Sequence, residues 1–400
     1  MNCVRNITDN LYYVGADEHR LNLFENIHPI PQGVSYNSYV LLDEKTVLFD
    51  TVDWAVCRQF IENVDFALNG RPLDYLVINH MEPDHASSLQ HLLLVHPECK
   101  VVSNEKAFLF MHQFGFDIGD RAVVVKDGDT MSFGKHNFAF VFAPMVHWPE
   151  AMVAFDTTTG TLFAADAFGT FGALNGILFN DEVDFDRDWI DDARRYYTNI
   201  VGKYGPQVQA LLKKAGGLDI KLICPLHGPV WRSDFGYILD KYNHWSSYTP
   251  EESGVLIVYA SMYGNTEQAA CGLASQLVRN GCTNIRVCDV STTHVSELIS
   301  LAFKYSHIVL ASVTYNLGIY PMMLTFLHDM KALNLQKRTI GIIENGTWAC
   351  TVGKLMTKEL EGMKEMTILN ESVTMTSAIN EANEPDLEAM ALALIESMKG

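Results

Sequence analysis

Short apolar runs alternate with longer stretches of helical periodicity from residue 255 to the C-terminus. The apolar runs predict strands at 255–260, 284–288, 307–312 and 339–344. The other stretches predict helices at 266–280, 294–304, 321–332, 351–364 and 383–398. Strands that alternate with helices form βαβ units, which place the strands in a parallel sheet with helices on both faces. This half is therefore predicted to form a doubly wound parallel sheet.

The first half has a different pattern, in which strand-like segments come in pairs before a helix. Strands are predicted at 36–42, 46–50, 74–79, 120–125, 137–142, 151–156 and 161–165. Helices are predicted at 54–68, 84–95, 104–114 and 188–214. Strand pairs followed by helices favour two sheets between layers of helices, although periodicity alone does not select that fold.

A polar segment that contains proline and glycine separates the two patterns. Residues Tyr248 to Gly254 are mostly polar, and the first predicted strand of the second half follows at once. A chain of 400 residues is long enough for two domains that each bury a core. The sequence predicts one domain over residues 1–250 and a second over residues 251–400.

The net charge of −19 argues against nucleic acids as partners. A nucleic-acid-binding surface needs basic side chains that displace counterions from the phosphates. No segment approaches the roughly 18 uninterrupted apolar residues of a membrane span. Residues 1–18 lack the basic region and apolar stretch of a secretory signal. We therefore expect a cytoplasmic protein with no nucleic-acid or membrane partner.

The eight cysteines are scattered through apolar stretches. No two of them are separated by just two residues, which is the spacing of a metal-binding or redox pair. This spacing argues against a four-cysteine iron site and against a cysteine-ligated iron–sulfur cluster. We expect these cysteines to be small buried hydrophobic residues in a reducing compartment.

Four side chains that can bind metal follow the predicted buried strand at 74–79. His80, Glu82, Asp84 and His85 lie within six residues, and the proline at position 83 disfavours helical geometry before it. An irregular turn at a strand end can aim such side chains in two directions, as two adjacent metal ions require. A simpler alternative is that Asp84 is the N-cap of a helix that begins at His85, with His80 in solvent.

Three further candidates repeat this placement after a strand. His147 follows the strand near residues 138–142, Asp166 follows the apolar run 161–165, and His227 follows residues 221–226. Loops at strand ends commonly carry function on a rigid frame. Taken singly, Asp166 is better explained as a turn residue, and His147 and His227 are better explained as histidines with satisfied hydrogen bonds in the core or at its rim. The recurrence of one pattern favours a shared metal site.

This order of residues resembles the metallo-β-lactamase fold, and specifically its flavodiiron branch. Hydrolases of that fold have His-x-His-x-Asp-His and bind zinc, whereas this chain has His-x-Glu-x-Asp-His, with Glu82 at the second position. The resemblance implies an N-terminal metallo-β-lactamase-like αββα sandwich and two non-haem iron ions. It assigns His80, Glu82 and His147 to one iron, assigns Asp84, His85 and His227 to the other, and makes Asp166 the bridge.

The second domain has polar loops after three predicted strands. The first loop, Ser-Met-Tyr-Gly-Asn-Thr, precedes a helix and resembles the FMN phosphate loop of flavodoxins, so the resemblance implies a flavodoxin-like domain that binds FMN. Hydroxyl groups and backbone N–H groups at a helix N-terminus favour a phosphate, and no Gly-x-x-x-x-Gly-Lys-Ser/Thr motif is present. Ligands of open parallel sheets bind beyond the carboxyl ends of the strands. The candidate FMN residues are Ser261, Met262, Tyr263, Gly264, Asn265, Thr266, Ser312, Thr314, Tyr315, Asn316, Gly318, Asn345, Gly346, Thr347 and Trp348.

Three residues are candidates for hydrogen bonding or proton transfer near the metal ions. His28 and Tyr196 are the preferred candidates, and Tyr197 is a further one. Ordinary packing in the core is the alternative explanation for each.

The resemblance implies four-electron reduction of dioxygen to water, two-electron coupling of nitric oxide to nitrous oxide, or both. Electrons would pass through FMN to the iron ions. The competing functions are a zinc hydrolase with a flavodoxin appendage and a non-enzymatic electron-transfer or redox-sensing module with a structural metal pair.

Partners are also implied by the resemblance. We expect no rubredoxin-like tail, because the cysteines are not closely paired and the chain ends after its last predicted helix. The electron donor is then rubredoxin, a reduced deazaflavin coenzyme or an NADH-linked reductase. We further expect a head-to-tail homodimer, or a dimer of such dimers. The short connection at residues 248–254 limits how one domain's site can reach the other's within a chain.

Overall fold

The computed structural model describes residues 1–399, which form two compact units. The first unit contains Met1–Tyr197 and Pro206–Asp240, and the second contains Thr198–Gly205 and the chain from Lys241 onward. Within each unit the residues contact one another more than they contact the rest of the chain. The predicted domain boundary near residue 250 stays a prediction.

The first unit is built mainly from short strands. These are β1 (Arg5–Asn6), β2 (Leu11–Tyr13), β3 (Ala16–Glu18), β4 (Leu23–Phe24), β5 (His28–Pro29), β6 (Val34–Tyr36), β7 (Tyr39–Leu42), β8 (Thr46–Phe49), β9 (Tyr75–Val77), β10 (Lys100–Ser103), β11 (Ala122–Val124), β12 (Thr130–Ser132), β13 (Asn137–Phe142), β14 (Met152–Asp156), β15 (Thr161–Phe163) and β16 (Leu222–Cys224). The helices up to residue 246 are α1 (Cys57–Leu68), α2 (Pro83–Ala86), α3 (Leu89–Val95), α4 (Glu105–Gln113), α5 (Phe185–Asp188), α6 (Ile190–Tyr196), α7 (Gly205–Ala215) and α8 (Phe235–Ser246).

Two sheets form the centre of this unit. Seven strands pair in the order β1-β2-β7-β8-β9-β10-β11, and five pair in the order β12-β13-β14-β15-β16. One hydrophobic cluster joins residues of both sheets, and within it the rings of Phe49 and Phe163 stack with centroids 3.7 Å apart. The two sheets therefore pack face to face, and the predicted two-sheet sandwich is present.

The second unit contains a single parallel sheet. Its strands are β17 (Glu252–Ala260), β18 (Ile285–Asp289), β19 (Tyr305–Val313), β20 (Thr339–Asn345) and β21 (Thr367–Met375). Its later helices are α9 (Asn265–Arg279), α10 (Val295–Lys304), α11 (Pro321–Ala332), α12 (Val352–Leu360) and α13 (Glu384–Ser397). All neighbours in the order β18-β17-β19-β20-β21 are parallel.

Helices cover both faces of this parallel sheet. Residues of α10, α11 and α12 form a buried cluster with one face, and residues of α9 and α13 form a cluster with the other. The sequence-based prediction of a doubly wound sheet is confirmed. Its carboxyl ends hold the three loops that were predicted to bind FMN.

The edge strand β21 was missed in the sequence. Only Val373 and Met375 are buried along Thr367–Met375, so this edge strand lacks the apolar run that marked the central strands. The helix predicted at 351–364 is also shorter than expected, because α12 ends at Leu360.

Several predictions in the first half need correction. The helix predicted at 188–214 is divided into α6, a π-helical segment at Tyr197–Val201, a 3-10 turn and α7. The helix predicted at 84–95 breaks between α2 and α3, and the strand predicted at 36–42 breaks between β6 and β7. Helical periodicity continues across the helix breaks, so the pattern did not reveal them. Among the described residues, no helix combines the length and the apolar character of a membrane span.

Candidate functional site

The loop that follows β9 is held in place by a buried carboxylate. Asp50 accepts hydrogen bonds from the backbone N–H of Asn79 at 2.7 Å and of His80 at 3.2 Å, and from the Asn79 side-chain amide at 2.7 Å. Burial raises the pKa of Asp50 to about 6. These bonds fix the backbone where the first predicted ligand begins.

The turn after His80 is irregular, as its proline predicts. Glu82 has extended backbone angles and is the N-cap of α2, with Pro83 as the first helical residue. The alternative in which Asp84 caps a helix beginning at His85 is therefore wrong. Asp84 instead lies within the first turn of α2. Consecutive ligand candidates thus leave the chain in different directions.

One group of candidates gathers around one oxygen of Asp166. Its Oδ2 lies 3.0 Å from Nε2 of His80 and 3.1 Å from Nε2 of His147. The Oε2 atom of Glu82 lies 3.2 Å and 2.9 Å from the same two nitrogen atoms. We call His80, Glu82, His147 and Asp166 the first metal group.

The other candidates gather around the second oxygen of Asp166. Its Oδ1 lies 3.1 Å from Nε2 of His85 and 3.7 Å from Nε2 of His227. The Oδ2 atom of Asp84 is 3.3 Å from both of these nitrogen atoms. Asp84, His85 and His227 form the second metal group. Asp166 faces both groups, one through each carboxylate oxygen.

The chemistry of these donors fits a pair of metal ions. Among the described residues, both carboxylate oxygens of Asp84 and of Asp166 are buried without a hydrogen-bond partner, despite their short contacts. The Nε2 atoms of His85 and His227 are only 3.0 Å apart. Buried polar atoms normally have partners. These atoms instead converge on common points, which is the arrangement that metal coordination requires.

The charges of the first metal group are strongly coupled. Burial disfavours the charged ring, yet Asp166 and Glu150 raise the pKa of His80 well above its ordinary value. Burial acts likewise on His147, but its contacts with Asp166 and Glu82 raise its pKa to about 9. The histidines and carboxylates of this group stabilise each other's charged forms.

The second metal group has a different balance. Burial raises the pKa of Asp84 to about 7 and lowers the pKa of His227. The neutral forms of these side chains are therefore favoured, so burial here is not offset as it is in the first group. A cation between these donors would supply the missing positive charge.

The three loops predicted to bind FMN meet at the carboxyl end of the parallel sheet. The amide of Asn345 donates to Oγ1 of Thr266 at 3.3 Å, which links the third loop to the first. The backbone N–H of Thr314 donates to the carbonyl of Asn345 at 2.7 Å, which links the second loop to the third. Gly264, at φ +87°, precedes α9, and its N–H donates to Oγ of Ser261 at 3.0 Å.

The aromatic candidates in these loops are open to solvent. Tyr263 and Trp348 are 88% and 86% exposed, and Tyr315 and Met262 are partly exposed. Ser312 differs, because it is fully buried and its hydroxyl donates to the carbonyl of Val313. Asn316, Gly318, Gly346 and Thr347 lie in the same two later loops.

Sequence and structure comparisons place this chain among known proteins. Residues 34–228 match the ODP family beta lactamase. A nitric oxide reductase from Moorella thermoacetica is 30% identical over 362 residues, or 90% of each chain. An anaerobic nitric oxide reductase flavorubredoxin from Aliivibrio salmonicida is 31% identical over 86% of this chain and 69% of its own. Rubredoxin oxygen:oxidoreductase from Desulfovibrio gigas has a TM-score of 0.92 at 29% identity, covering 99% of this chain and 98% of its own.

The chain belongs to the flavodiiron proteins. It is an oxidoreductase, and the predicted combination of a metallo-β-lactamase-like sandwich with a flavodoxin-like sheet is confirmed. The flavodiiron protein from Giardia intestinalis, at 24% identity and a TM-score of 0.90, shares this fold over 99% of the chain. The alternative of a zinc hydrolase is not favoured by these relatives.

Two of the residues predicted to support catalysis in this flavodiiron protein lie near the second metal group, Tyr196 directly and His28 through Phe171, whose ring is 5.2 Å from that of Tyr196. The ring of Tyr196 is 5.3 Å from that of His227, and the ring of His28 is 6.1 Å from that of Phe171. Tyr197 is fully buried. Their participation in catalysis stays a prediction.

Other polar residues at the site were missed in the sequence. Glu150 contacts the ring of His80. The ring of Tyr36 is 5.6 Å from that of His227. Burial together with the neighbouring Glu82 raises the pKa of Glu25 to about 8. Glu150 lies three residues after His147, in the same loop, and this proximity was the only signal available in the sequence. Tyr36 and Glu25 are separated from the ligand motifs in the chain and carried no such signal.

Proposed function

We propose that this flavodiiron protein reduces dioxygen to water, nitric oxide to nitrous oxide, or both, at two non-haem iron ions. The observation that supports this proposal is the position of Asp166. One of its carboxylate oxygens contacts the first metal group, and the other contacts the second. Such a bridge would hold two metal ions next to each other, so that one small substrate could meet both.

The donor set favours iron over structural zinc. Each group has two imidazoles, one carboxylate of its own and one oxygen of Asp166, which leaves coordination positions for substrate. Structural zinc prefers four closed nitrogen and sulfur ligands. Bound iron would supply reversible one-electron changes. We assign His80, Glu82 and His147 to one iron, and Asp84, His85 and His227 to the other.

The side chains around the second metal group support this chemistry by excluding water. The rings of Phe24, Tyr36 and Tyr196 lie between 5.3 and 5.6 Å from the ring of His227. These three aromatic residues are buried. A dry wall strengthens the interactions between charged ligands and a bound ion.

FMN is the proposed source of electrons for the irons. Support comes from the three linked loops at the carboxyl end of the parallel sheet, where ligands of such sheets bind. The start of α9 and the hydroxyl groups of Ser261 and Thr266 suit the phosphate. Tyr315 and Trp348 would offer flat surfaces for the flavin ring.

Rubredoxin is the favoured electron donor for this flavin. Two relatives carry rubredoxin in their names, as a flavorubredoxin and as a rubredoxin oxygen:oxidoreductase. A reduced deazaflavin coenzyme and an NADH-linked reductase are the alternatives. Stopped-flow reduction of the FMN by each candidate tests the choice. Rapid reduction by NADH alone would contradict the need for an intermediary.

The proposed working unit is a head-to-tail homodimer, in which the FMN of one chain serves the irons of its partner. Two-fold symmetry would bury the same surface twice. The test is a mixed dimer of an Asp84→Ala chain and a chain altered at Asn265 and Thr266. It should retain partial activity, because one intact FMN faces one intact iron pair. A fully active monomer at high dilution would overturn the arrangement. The cytoplasmic location also stays a prediction.

Metal analysis combined with gas consumption tests the proposed reaction. The purified, reduced protein should contain iron and consume dioxygen or nitric oxide in side-by-side assays, the second of them free of oxygen. A zinc hydrolase would contain zinc and consume neither gas. An electron-transfer or sensing module would contain iron and FMN and turn over neither substrate.

A further inference from the structure

A buried carboxylate contacts the His80 ring of the first metal group at the nitrogen that does not face Asp166. Oε1 of Glu150 lies 2.9 Å from Nδ1 of His80, on the side of the ring away from Asp166. The same oxygen accepts a hydrogen bond from the backbone N–H of Met81 at 2.9 Å. The side chain of Glu150 is completely buried. Its carboxylate therefore acts on the His80 ring without competition from solvent.

One further contact holds the backbone of Glu150, and another holds the ring of His80. The side-chain amide of Asn104 donates to the backbone carbonyl of Glu150 at 2.6 Å. The ring of Trp148 stands perpendicular to the His80 ring, with centroids 5.4 Å apart. The backbone of Glu150 and the imidazole that its carboxylate contacts are thus each held by a further contact.

The contact determines which nitrogen of His80 carries the proton. Nε2 faces Asp166 and Glu82 within the first metal group. A neutral imidazole that offers its Nε2 lone pair to a metal ion has its proton on Nδ1, and that proton points at Glu150. A carboxylate that accepts this hydrogen bond fixes the tautomer and increases the electron donation of the ring.

Among the described residues, no carboxylate forms a hydrogen bond with Nδ1 of either histidine in the second metal group. Nδ1 of His227 contacts a neutral acceptor, the backbone carbonyl of Ser35, at 2.7 Å. Nδ1 of His85 is buried and has no hydrogen-bond partner among residues 1–399. The two groups therefore differ in the charge that supports their imidazoles.

We propose that Glu150 is a positioning residue that makes the two metal ions unequal. Through His80, it holds the ion of the first metal group more tightly than the ion of the second, and it stabilises that ion in its more oxidised state. This inference rests on the proposed iron site. It predicts that the iron ion held by the first metal group is oxidised before the other ion and reduced after it.

Three variants test the proposal. Glu150→Gln keeps an oxygen that can accept both hydrogen bonds but removes the charge, and Glu150→Leu removes the charge and the acceptor. Asp50→Asn is the matched control, because Asp50 is also a buried carboxylate on this loop but contacts backbone N–H groups and Asn79 instead of a ligand ring. It measures the effect of losing one nearby charge.

Iron affinity and Mössbauer spectra of the intact protein are the measurements. Chelator competition should show that one iron of Glu150→Leu is bound about 10–100-fold more weakly, since losses of this kind have that size. Glu150→Gln should fall between Glu150→Leu and the unaltered protein. With isotopically enriched iron at partial reduction, one of the two spectral components should change in both Glu150 variants. Asp50→Asn should have a smaller effect.

Two results would overturn the proposal. One is a Glu150→Gln protein with both iron affinities and both spectral components unchanged. The other is an equal change of both components, or a change of the same size in Asp50→Asn. If Glu150→Leu does not fold, Glu150→Gln carries the test alone. Failure of the underlying iron site would appear separately, as unaltered protein that binds no iron pair.

Discussion

The candidate metal centre and the candidate flavin loops are built from opposite kinds of surface. The seven predicted ligands bury their side chains to 12% exposure or less. In the flavin loops, Tyr263 and Trp348 are more than 85% exposed. One site thus consists of buried charged side chains that neutralise each other, and the other combines exposed aromatic rings with polar groups that carry no charge, some of which, such as Ser312 and Thr266, are buried.

This difference shows which kind of site can be inferred from a single chain. Burying a charged side chain is costly unless it is paired or coordinates a metal ion, so the joint burial of seven such residues has few explanations. Exposed aromatic residues in a loop cost little and are common on surfaces. The flavin loops therefore depend more on their place at the sheet's carboxyl end than on their composition.

The largest expected effect comes from breaking the bridge of the metal centre. Asp166→Ala should remove a ligand from both metal groups, so iron content should fall and gas reduction should drop more than about 100-fold, the upper range for losing a supporting contact. FMN content should not change, because the flavin loops lie in the other unit. Metal analysis, flavin absorbance and gas consumption measure these outcomes. Full activity with two irons bound would contradict the assignment.

A smaller effect should follow from straining the first flavin loop. Gly264 has φ +87°, which costs a β-branched residue roughly 1–2 kcal/mol. Gly264→Val should therefore lower FMN affinity by about 10-fold, at 1.4 kcal/mol for each factor of ten, while iron content stays unchanged. Titration of the apoprotein with FMN measures the affinity.

Gly281 provides the matched control for this prediction. It has φ +91°, no atom lies within 4 Å of the position that an added Cβ would take, and it follows the opposite end of α9. Gly281→Val should destabilise the protein by a similar amount and leave FMN affinity unaltered. Equal losses of FMN in both variants would mean that the effect reports general destabilisation.

A still smaller effect is expected for the exposed ring in the third loop. Trp348→Ala should weaken FMN binding roughly 2- to 10-fold, because contacts between aromatic rings contribute about 0.5–1.5 kcal/mol. Phe66 is a suitable control, since it is 60% exposed on α1 in the first unit. Phe66→Ala should leave FMN affinity unchanged. An unchanged affinity in Trp348→Ala would remove that residue from the flavin site.

The same contrast explains what could be predicted from the sequence. Apolar runs marked the other four strands of the parallel sheet, whereas β21 escaped because the polar, exposed residues Asn370, Glu371 and Ser372 interrupt its apolar pattern. His80 and its six companions were recognisable because they follow strands in a repeated pattern. Glu150 and Asp50 were not, because a supporting carboxylate is defined by what it contacts across the fold, and those contacts join residues 70 and 30 positions apart.

The last expected effect is on stability instead of ligand binding, and it concerns a buried histidine that lacks carboxylate neighbours. His307 at β19 is 4% exposed, and among the described residues its ring hydrogen-bonds only with the hydroxyls of Ser306 at 2.7 Å and Ser397 at 2.8 Å. Burial lowers its pKa to about 4, whereas carboxylates raise the pKa of the similarly buried His80. The unfolded chain would protonate this side chain near pH ~6.5.

Stability should therefore be lost as the pH falls through this window. Between about pH 6.5 and 4 the unfolded state binds a proton at this side chain and the folded state does not. This difference lowers the free energy of unfolding by roughly 1–3 kcal/mol. His307→Gln retains polar atoms for both serine hydroxyls but cannot titrate. Urea unfolding of the second unit, followed at about pH 7 and pH 5 on either side of the ordinary histidine pKa, should show a smaller loss in this variant than in the unaltered protein. Identical losses in the two proteins would show that other groups account for the acid sensitivity.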